Sequence, residues 1–515
     1  MGAFAYTQSV ENRMSFLIRA VLASGSGLLM WLAQAPVSLW PLVFLSLGTL
    51  WISVYRTTIP RSIIFGFLWG LCFFIPNLAW AAIAANSVLA LVALAVSQSL
   101  FLAVLGAGWS QISYLPHVYA WISGAIAWAG IEHLRGIMPF GGMPWGKIAF
   151  AMNDSPFVRL APIGSTLLVA LAVSALSILI ASSICTLRKN PYRAASSLAL
   201  ACLLFCAPLL SPIGGKPEAT VNVGIVQGNS PTKTEIPDGW LRALQVTRNH
   251  AQMARTLNKA DLVVFPESTS DRDIRTDPEV QELVNEMSHQ LGVPIVLGTQ
   301  QYLDNGRYND YLVVEPGGSI TARYSKQHPV PFGEYIPLRS FLSDLSNATA
   351  ELISQVHIDM LPGESMAQLT VTTAGGELRM ATPICFEVAY DDIVAAGVMG
   401  NSAPADIIVV PTNNASFGDS GEPYQQFEMT RFRAVEHGRS AIQVSTTGVS
   451  GLIDPNGVVR YTTNVAEQHA VTLPVILRHE LTFATRTATY RYYCGHILAV
   501  LTFALAGFSR RRNNC

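Results

Sequence analysis

The sequence predicts a multi-pass α-helical membrane domain of about eight spans joined to a separate, extracytoplasmic α/β domain. Three observations predict it. Only 13% of the 515 residues are charged and 50% are hydrophobic, whereas soluble domains carry roughly 25% charged residues. Apolar runs long enough to cross a bilayer, which takes about 20 residues, fill the first 213 positions and recur once near the C-terminus. Between them, residues 220–480 change to short β-rich runs that alternate with polar, helix-compatible stretches, the pattern of helices laid over a sheet.

Candidate spans cover 16–34, 37–55, 62–85, 88–113, 118–135, 157–186 and 195–212, which makes 1–213 a membrane domain, and 494–509 forms a C-terminal transmembrane helix. The first, in "RMSFLIRAVLASGSGLLMWLAQAP", has the basic start, apolar centre and small residues of a signal peptide. Six more spans follow it, so it reads as a retained anchor. Orientation follows from basic residues in short connections, which favour the cytoplasmic side. Arg13 with Arg19, Arg56 with Arg61, the trio Arg188, Lys189 and Arg193, and the C-terminal Arg510, Arg511 and Arg512 all fall on one face if seven spans precede residue 213. The segment between spans seven and eight is then extracytoplasmic. The connection "GIMPFGGMPWGKIAFAMNDSP" (136–156) mixes Pro, Gly and aromatic residues; a re-entrant segment under the globular domain and an interfacial loop with aromatic anchors both fit it. Glu132, His133 and Arg135, near the end of span five, are the one ionisable cluster in the spans.

The Pro/Gly-rich "SPIGGKPEAT" is a linker into the globular domain. Its candidate strands are "TVNVGIVQGN", "ADLVVFPES", "VPIVLGTQQY", "NDYLVVEPGG", "ADIIVVPTNN" and "RSAIQVSTTG", with helices expected over 238–258, 276–291 and 421–437. Residues 335–365 are long for a connection. Their Leu, Ile and Phe content predicts a partly helical arm, touching lipid or packed over the sheet.

A formal net charge of -1 supplies no global basic field to gather nucleic acid. The seven cysteines, at 72, 185, 202, 206, 385, 494 and 515, include no CxxC pair and show none of the spacing of a zinc site or disulfide framework. Cys202 and Cys206 read as small apolar packing residues. Cys385 alone lies outside the apolar ends of the chain and its tail. Three motifs end apolar strands: "VVFPES" with Glu267, "ARYSKQHPVPFGEYIP" with Lys326 and Glu334, and "ATPICFE" with Cys385 and Glu387. A cysteine attacks a carbonyl as the thiolate, which a base or a helix N-terminus favours, and "FEVAYDDIVAAGVM" after Cys385 reads as such a helix. Glu267 is the candidate general base. Lys326, with the backbone N–H of Phe386, is the candidate oxyanion donor. Singly these signals have plain alternatives: a packed cysteine, a Pro-Glu turn, a solvated lysine, and a histidine (His328) that packs locally. Their joint occurrence in one domain outweighs those readings.

Glu, Lys and Cys in the contexts "PES", "KQHPVPFGEYIP" and "ICFE" resemble the carbon–nitrogen hydrolase (nitrilase) superfamily. With spans on both sides, essentially the whole chain is similar to the apolipoprotein N-acyltransferase family within it; "VQGN" (226–229), "PTNNASFGD" (411–419) and "RFRAVEHGRSAIQVSTTGVSGLIDPNG" (431–457) are further family-like pieces. The resemblance implies an αββα sandwich, a catalytic triad of Glu267, Lys326 and Cys385, and supporting roles for Glu334 and Glu387. It implies that Cys385 takes an acyl chain from a membrane phospholipid as a thioester. The acyl chain then passes to the α-amine of a diacylglyceryl-modified apolipoprotein cysteine, the final step of lipoprotein maturation, in the bacterial cytoplasmic membrane and without a cofactor. The chain departs from the family pattern at Ile236, where a tryptophan is expected and Trp240 lies nearby. It departs also at Phe386 in place of tyrosine, and at Asn414 and Ser416 in place of Asp and Trp. These leave open the substrate groove, and with it donor and acyl-chain preference.

Two other readings stay open. A membrane-anchored amidase or nitrilase needs only one or two spans, whereas seven before the domain point to a lipidic substrate. A transporter or receptor with a binding domain needs buried ionisable pairs within its spans, and the cluster at 132–135 lies near an interface instead.

Overall fold

The computed structural model describes residues 14–187, 190–213, 215, 217–344 and 347–514. Arg13, Arg188, Lys189 and Cys515 lie outside the described residues, as do the side chains of Arg510, Arg511 and Arg512. The N-terminal helices are α1 (Phe16–Ala33), α2 (Leu42–Val54), α3 (Ile59–Asn77), α4 (Trp80–Ala84), α5 (Val88–Ile112), α6 (His117–Ile137), α7 (Ala161–Thr186) and α8 (Pro191–Cys206), and the chain closes with a helix over Ala488–Asn514.

Among the described residues five helical stretches are long and apolar enough to cross a membrane: Phe16–Ala33, Ile59–Asn77, Val88–Ile112, Pro156–Thr186 and Pro191–Leu210. The stretch expected over 37–55 is helical only from Leu42, and its 13 residues rise about 20 Å, short of a roughly 30 Å hydrocarbon layer. The span expected over 62–85 is two helices. Pro76 falls in the last turn of α3, where it lacks an N–H to donate, and the helix ends when the Leu78 N–H bonds the Phe74 carbonyl. The remaining two helices carry charge, Glu132 and Arg135 on α6 and Arg491 on the C-terminal helix. Helices α3 and α5 approach through small residues: a side chain at Gly66 would strike the Leu102 carbonyl, and one at Gly106 the Ser62 carbonyl, the close contact typical of apolar helix pairs. Arg19 is buried and donates to the carbonyls of Ile52, Ser53 and Tyr55, capping the end of α2.

Residues 142–153 are all buried in a segment that is neither a straight helix nor a polar loop. Short 3₁₀ turns, Ile148–Met152 and Pro156–Leu160, fold it back toward α7. Glu132 and Arg135 hold it: the Ile148 N–H donates to Glu132 at 2.9 Å, and Arg135 donates to the carbonyls of Met143 (2.7 Å) and Trp145 (2.8 Å). Glu132 and Arg135 are thus buried and satisfy irregular backbone, while half-buried His133 faces His496.

The globular domain has two six-stranded sheets, with strands β1 (Ala219–Gln227), β2 (Leu262–Val264), β3 (Ile295–Leu303), β4 (Gly306–Val314), β5 (Ile320–Ser325), β6 (Gln368–Thr373), β7 (Gly376–Ala381), β8 (Ile407–Thr412), β9 (Ala441–Ser445), β10 (Gly451–Ile453), β11 (Val459–Thr462) and β12 (His469–Leu477). Their orders are β12-β1-β2-β3-β4-β5 and β11-β10-β9-β8-β7-β6. Each sheet has a parallel centre, β1-β2-β3 and β7-β8-β9, reached by helical crossovers. These are α9 (Gly239–Ala254) and α10 (Pro278–Leu291) in the first sheet. After two short helices in the 335–365 arm, α11 (Arg339–Ser343) and α12 (Asn347–Ser354), the second sheet uses α13 (Asp391–Met399) and α14 (Glu422–His437). Asp277 caps α10 through the N–H groups of Glu279 and Val280, and Gly292, at φ 65°, ends it, a left-handed turn that suits glycine.

Alternate residues explain the continuous apolar strands. Leu262 and Val264, Val296, Tyr311 and Val313 pack with Leu378, Met380 and Ile407 between the sheets, while Val263, Phe265, Ile295, Leu297 and Leu312 pack under Val280, Val284 and Leu244 of the crossover helices. Both faces of each central strand are covered, so no polar alternation is needed. The layers are helix, sheet, sheet, helix.

Candidate active site

The site lies where strands of both sheets end. Glu267 follows β2 by three residues, at a tight turn in which Ser268 has φ 56°. A side chain at Gly298 on β3 would come within 2.7 Å of the Glu267 Cα, so the close approach of the two backbones requires glycine there. The carboxylate is buried and accepts from Asn309 Nδ2 (2.6 Å), the Asn413 N–H (2.8 Å) and Lys326 Nζ (3.4 Å).

Lys326 directly follows β5 and is fully buried. Its backbone N–H bonds the Asn309 carbonyl, so Asn309 registers both Glu267 and Lys326. The turn after it folds back, with Pro331 bridging Tyr335, which carries Glu334 from eight residues downstream to 2.7 Å from Lys326 Nζ. The other Glu334 oxygen accepts from the Val330 N–H at 2.7 Å. Two carboxylates therefore share one ammonium. Burial would lower the Lys326 pKa, but Glu267 and Glu334 outweigh it and raise it, holding the ammonium. Burial raises the Glu267 pKa, Lys326 opposes this, and Glu334 adds to it.

Cys385 follows β7 and takes φ 53°, a left-handed conformation that a non-glycine residue adopts at a cost. The helix expected immediately after it is a five-residue 3₁₀ turn, Cys385–Ala389, and α13 begins only at Asp391. The expected lowering of the thiol pKa is absent. Burial pushes the thiol up and Glu267 pushes it further, with Lys326 opposing and Glu422 adding. This arrangement favours the protonated thiol at rest.

Glu387 is buried and knits the two loops together. One oxygen accepts from the N–H groups of Gln327 (2.6 Å) and His328 (3.0 Å), the other from the Ile384 N–H and the Tyr324 hydroxyl, both at 2.8 Å. Burial raises its pKa to about 7 against these donors and Lys326. The Phe386 ring stacks on Trp145 of the 142–153 segment, with centroids 5.3 Å apart and planes 7° apart. Trp145 in turn donates to Gln425 on α14 at 2.6 Å. The segment beside the membrane helices is thereby keyed to the residue after Cys385. His328 packs on Tyr390.

Asn309, Asn413, Glu422 and Gln426 were not among the expected site residues, and Asn414 was expected only as a departure from the family pattern. Asn414 Nδ2 donates to Glu422 (2.7 Å) and Gln426 (2.8 Å). Glu422 is buried, and burial raises its pKa to about 8, with Asn414 opposing. The signal available was "PTNN" at a strand end, where side-chain amides sit beside the catalytic-type motifs. Of the departing positions, Ser416 is exposed, Trp240 lies under Arg272 at 4.8 Å, and the Ile236 carbonyl accepts from Arg242.

A family model described as the apolipoprotein N-acyltransferase N-terminal domain matches residues 26–179, and one described as carbon–nitrogen hydrolase matches residues 222–472. The apolipoprotein N-acyltransferase of Azotobacter vinelandii is 30% identical over 471 residues, 85% of this chain and 85% of that one. The apolipoprotein N-acyltransferase of Pseudomonas syringae pv. tomato is 26% identical over 510 residues, 95% and 96% of the two chains. Among solved structures, a CN-hydrolase superfamily protein from Xanthomonas campestris aligns with 54% of this chain and 96% of its own, at 18% identity and a TM-score of 0.37.

Proposed function

Because the chain belongs to the apolipoprotein N-acyltransferase family, we propose that it moves an acyl chain from a membrane phospholipid to the α-amine of a diacylglyceryl-modified apolipoprotein cysteine, through a thioester on Cys385. The observation that carries this reading is the convergence of buried Glu267 and Lys326 and half-buried Glu334 with Cys385 at the ends of paired sheets. The stacking of Trp145 on Phe386, beside the apolar helices, supports a lipid as the acyl donor.

In the first half-reaction Cys385 Sγ attacks the ester carbonyl carbon and its proton passes to Glu267. The raised pKa of the Glu267 carboxyl suits this transfer, because the carboxylate that receives the proton is more basic than usual; the raised pKa of the thiol opposes it. Oxyanion charge develops beside Lys326, with the Phe386 N–H as second donor. Collapse breaks the C–O bond, and Glu267 returns the proton to the departing lysophospholipid oxygen. In the second half-reaction the amine, with an ordinary pKa near 8, attacks the thioester carbon. Glu267 accepts a proton from nitrogen, the C–N bond forms, and the C–S bond breaks to release a thiolate that is reprotonated. Glu334 places the lysine and, at its partly exposed edge, docks the amine. Bonds and protons balance among these groups and the two substrates, so the reaction calls for no cofactor.

The same reading takes the helices as about eight spans of a bacterial inner-membrane protein, with 220–480 on the extracytoplasmic face. The phase of the basic clusters supports that orientation. The test of the activity is intact-mass analysis of the protein in phospholipid vesicles. An added acyl mass that hydroxylamine removes is expected, and its absence under turnover-competent conditions would overturn the thioester.

A further inference from the structure

The sulfur of Cys385 has a hydrogen-bond donor that lies outside the Glu267, Lys326 and Glu334 group. Gln426, fully buried on α14, places Nε2 3.5 Å from Cys385 Sγ, a normal separation for a donor to the large sulfur atom. Among the described residues the sulfur is the one hydrogen-bond partner of that nitrogen.

Which end of the Gln426 amide faces the sulfur is set by a chain of donors that starts on the backbone. The Gly448 N–H donates to Ser445 Oγ at 2.7 Å, and the Ser445 hydroxyl donates to Asn414 Oδ1 at 2.6 Å. Asn414 must then present Nδ2 to its other neighbours, and it donates to Gln426 Oε1 at 2.8 Å. The Thr412 hydroxyl donates to the same oxygen at 2.9 Å. Turning the amide over would set its N–H against the Asn414 N–H, even though the Thr412 hydroxyl could rotate to accept. The nitrogen therefore faces Cys385.

We propose that Gln426 is a further catalytic group, whose Nε2–H donates to the Cys385 sulfur and favours the thiolate over the thiol, both as attack begins and as the thioester is cleaved. The inference rests on Cys385 being the nucleophile. A single neutral donor is well matched to this role, because it stabilises charge on sulfur without adding a cation that would compete with Lys326 for Glu267.

The test reads the sulfur directly and does not require acyl transfer. The full-length protein in phospholipid nanodiscs is treated with iodoacetamide at fixed pH, and modification of Cys385 is followed by peptide mass mapping in wild type, Gln426→Met, Gln426→His and Asn414→Ala. Losing a donor to a charged sulfur raises the thiol pKa by roughly one to two units. The greater nucleophilicity of a more basic thiolate returns about half of this on a logarithmic scale. Gln426→Met is therefore expected to be alkylated about three- to tenfold more slowly, and Gln426→His, which retains a ring N–H, to recover most of the rate. Asn414→Ala, which frees the amide to turn over, is expected to fall between. A wild-type rate in folded Gln426→Met or Asn414→Ala would overturn the proposal. So would a histidine variant as slow as the methionine one, because packing would then explain the loss. Failure of the nucleophile reading is a separate outcome: Cys385 would respond to Gln426 yet acquire no acyl mass.

Discussion

Replacing Glu387 by Gln converts one carboxylate oxygen into an NH2 group in a site where all four neighbours are donors. At the oxygen facing Gln327 and His328 both partners are peptide N–H groups, which cannot reverse. At the other, the Tyr324 hydroxyl can rotate to accept, but the Ile384 N–H cannot. The least costly arrangement therefore leaves one buried peptide N–H against the new NH2, a penalty of about 1–3 kcal/mol. The loops relieve it by moving apart, the lysine on one and the nucleophile on the other. A shift of about 1 Å between reacting groups costs on the order of 10²-fold in rate. Single-turnover acyl-enzyme formation from labelled phospholipid in excess should thus slow about 10²-fold in Glu387→Gln. Glu387→Asp, which keeps the charge but lacks the reach to all four donors, should slow comparably. A Gln variant within about threefold of wild type would refute the reasoning, as would an Asp variant at the wild-type rate, which would make charge the requirement instead of the four-point tie.

Cys385→Ala is expected to abolish acylation and Cys385→Ser to leave at most a trace, by intact mass, because a hydroxyl is harder for the base to deprotonate and a poorer nucleophile than a thiol. Acylation of the alanine variant would eliminate the covalent route. Loading of Cys385 should rise with pH as Glu267 loses its proton, and because burial raises that pKa the rise should lie above the ordinary carboxylate range near 4.3. A pH–rate profile already flat at pH 5 would remove Glu267 as base. Glu267→Gln should suppress loading itself, whereas Glu334→Gln should load more acyl-enzyme and transfer it poorly to a diacylglyceryl peptide; failure of Glu334→Gln to load would move it into the first step. For topology, a membrane-impermeant maleimide added from outside should reach Phe341→Cys on the exposed arm and miss Cys515, and the opposite pattern would reverse the orientation.

Strands β1–β4, β8 and β9 were legible because they read as apolar runs such as "LVVF" and "IIVV", bounded by motifs with chemistry of their own, whereas β6, β10, β11 and β12 were not among the expected strands. Glu267, Lys326 and Cys385 were legible from the motifs that close their strands: Lys326 directly follows β5, and Glu267 and Cys385 lie three and four residues past β2 and β7. What local sequence did not reveal was the sign of the Cys385 shift. "FEVAYDDIVAAGVM" has the composition of one helix, but the left-handed Cys385 and the 3₁₀ turn delay α13 to Asp391, while two carboxyls distant in sequence, Glu267 and Glu422, act on the sulfur. Helix α14 was expected as a helix, yet "EPYQQFEMTRFRAVEH" is polar nearly all round and suggests a solvated surface. It is buried because its outer side meets the 142–153 segment, through Asn153 and Trp145, a contact no local pattern encodes. Five of the expected spans were legible as apolar runs. Span ends were not, since the breaks at Leu78 and before Leu42 depend on proline placement and tertiary packing.

The central claim is that one sulfur on this chain carries the acyl group from lipid to amine. Wild-type protein is loaded with phospholipid bearing a labelled acyl chain, freed of excess lipid and chased with a diacylglyceryl-cysteine peptide. The account predicts label on the Cys385 peptide before the chase and on the peptide α-amine after it, in equal amount. Label on another residue before the chase, or on the peptide amine from protein in which Cys385 was never labelled, would contradict it.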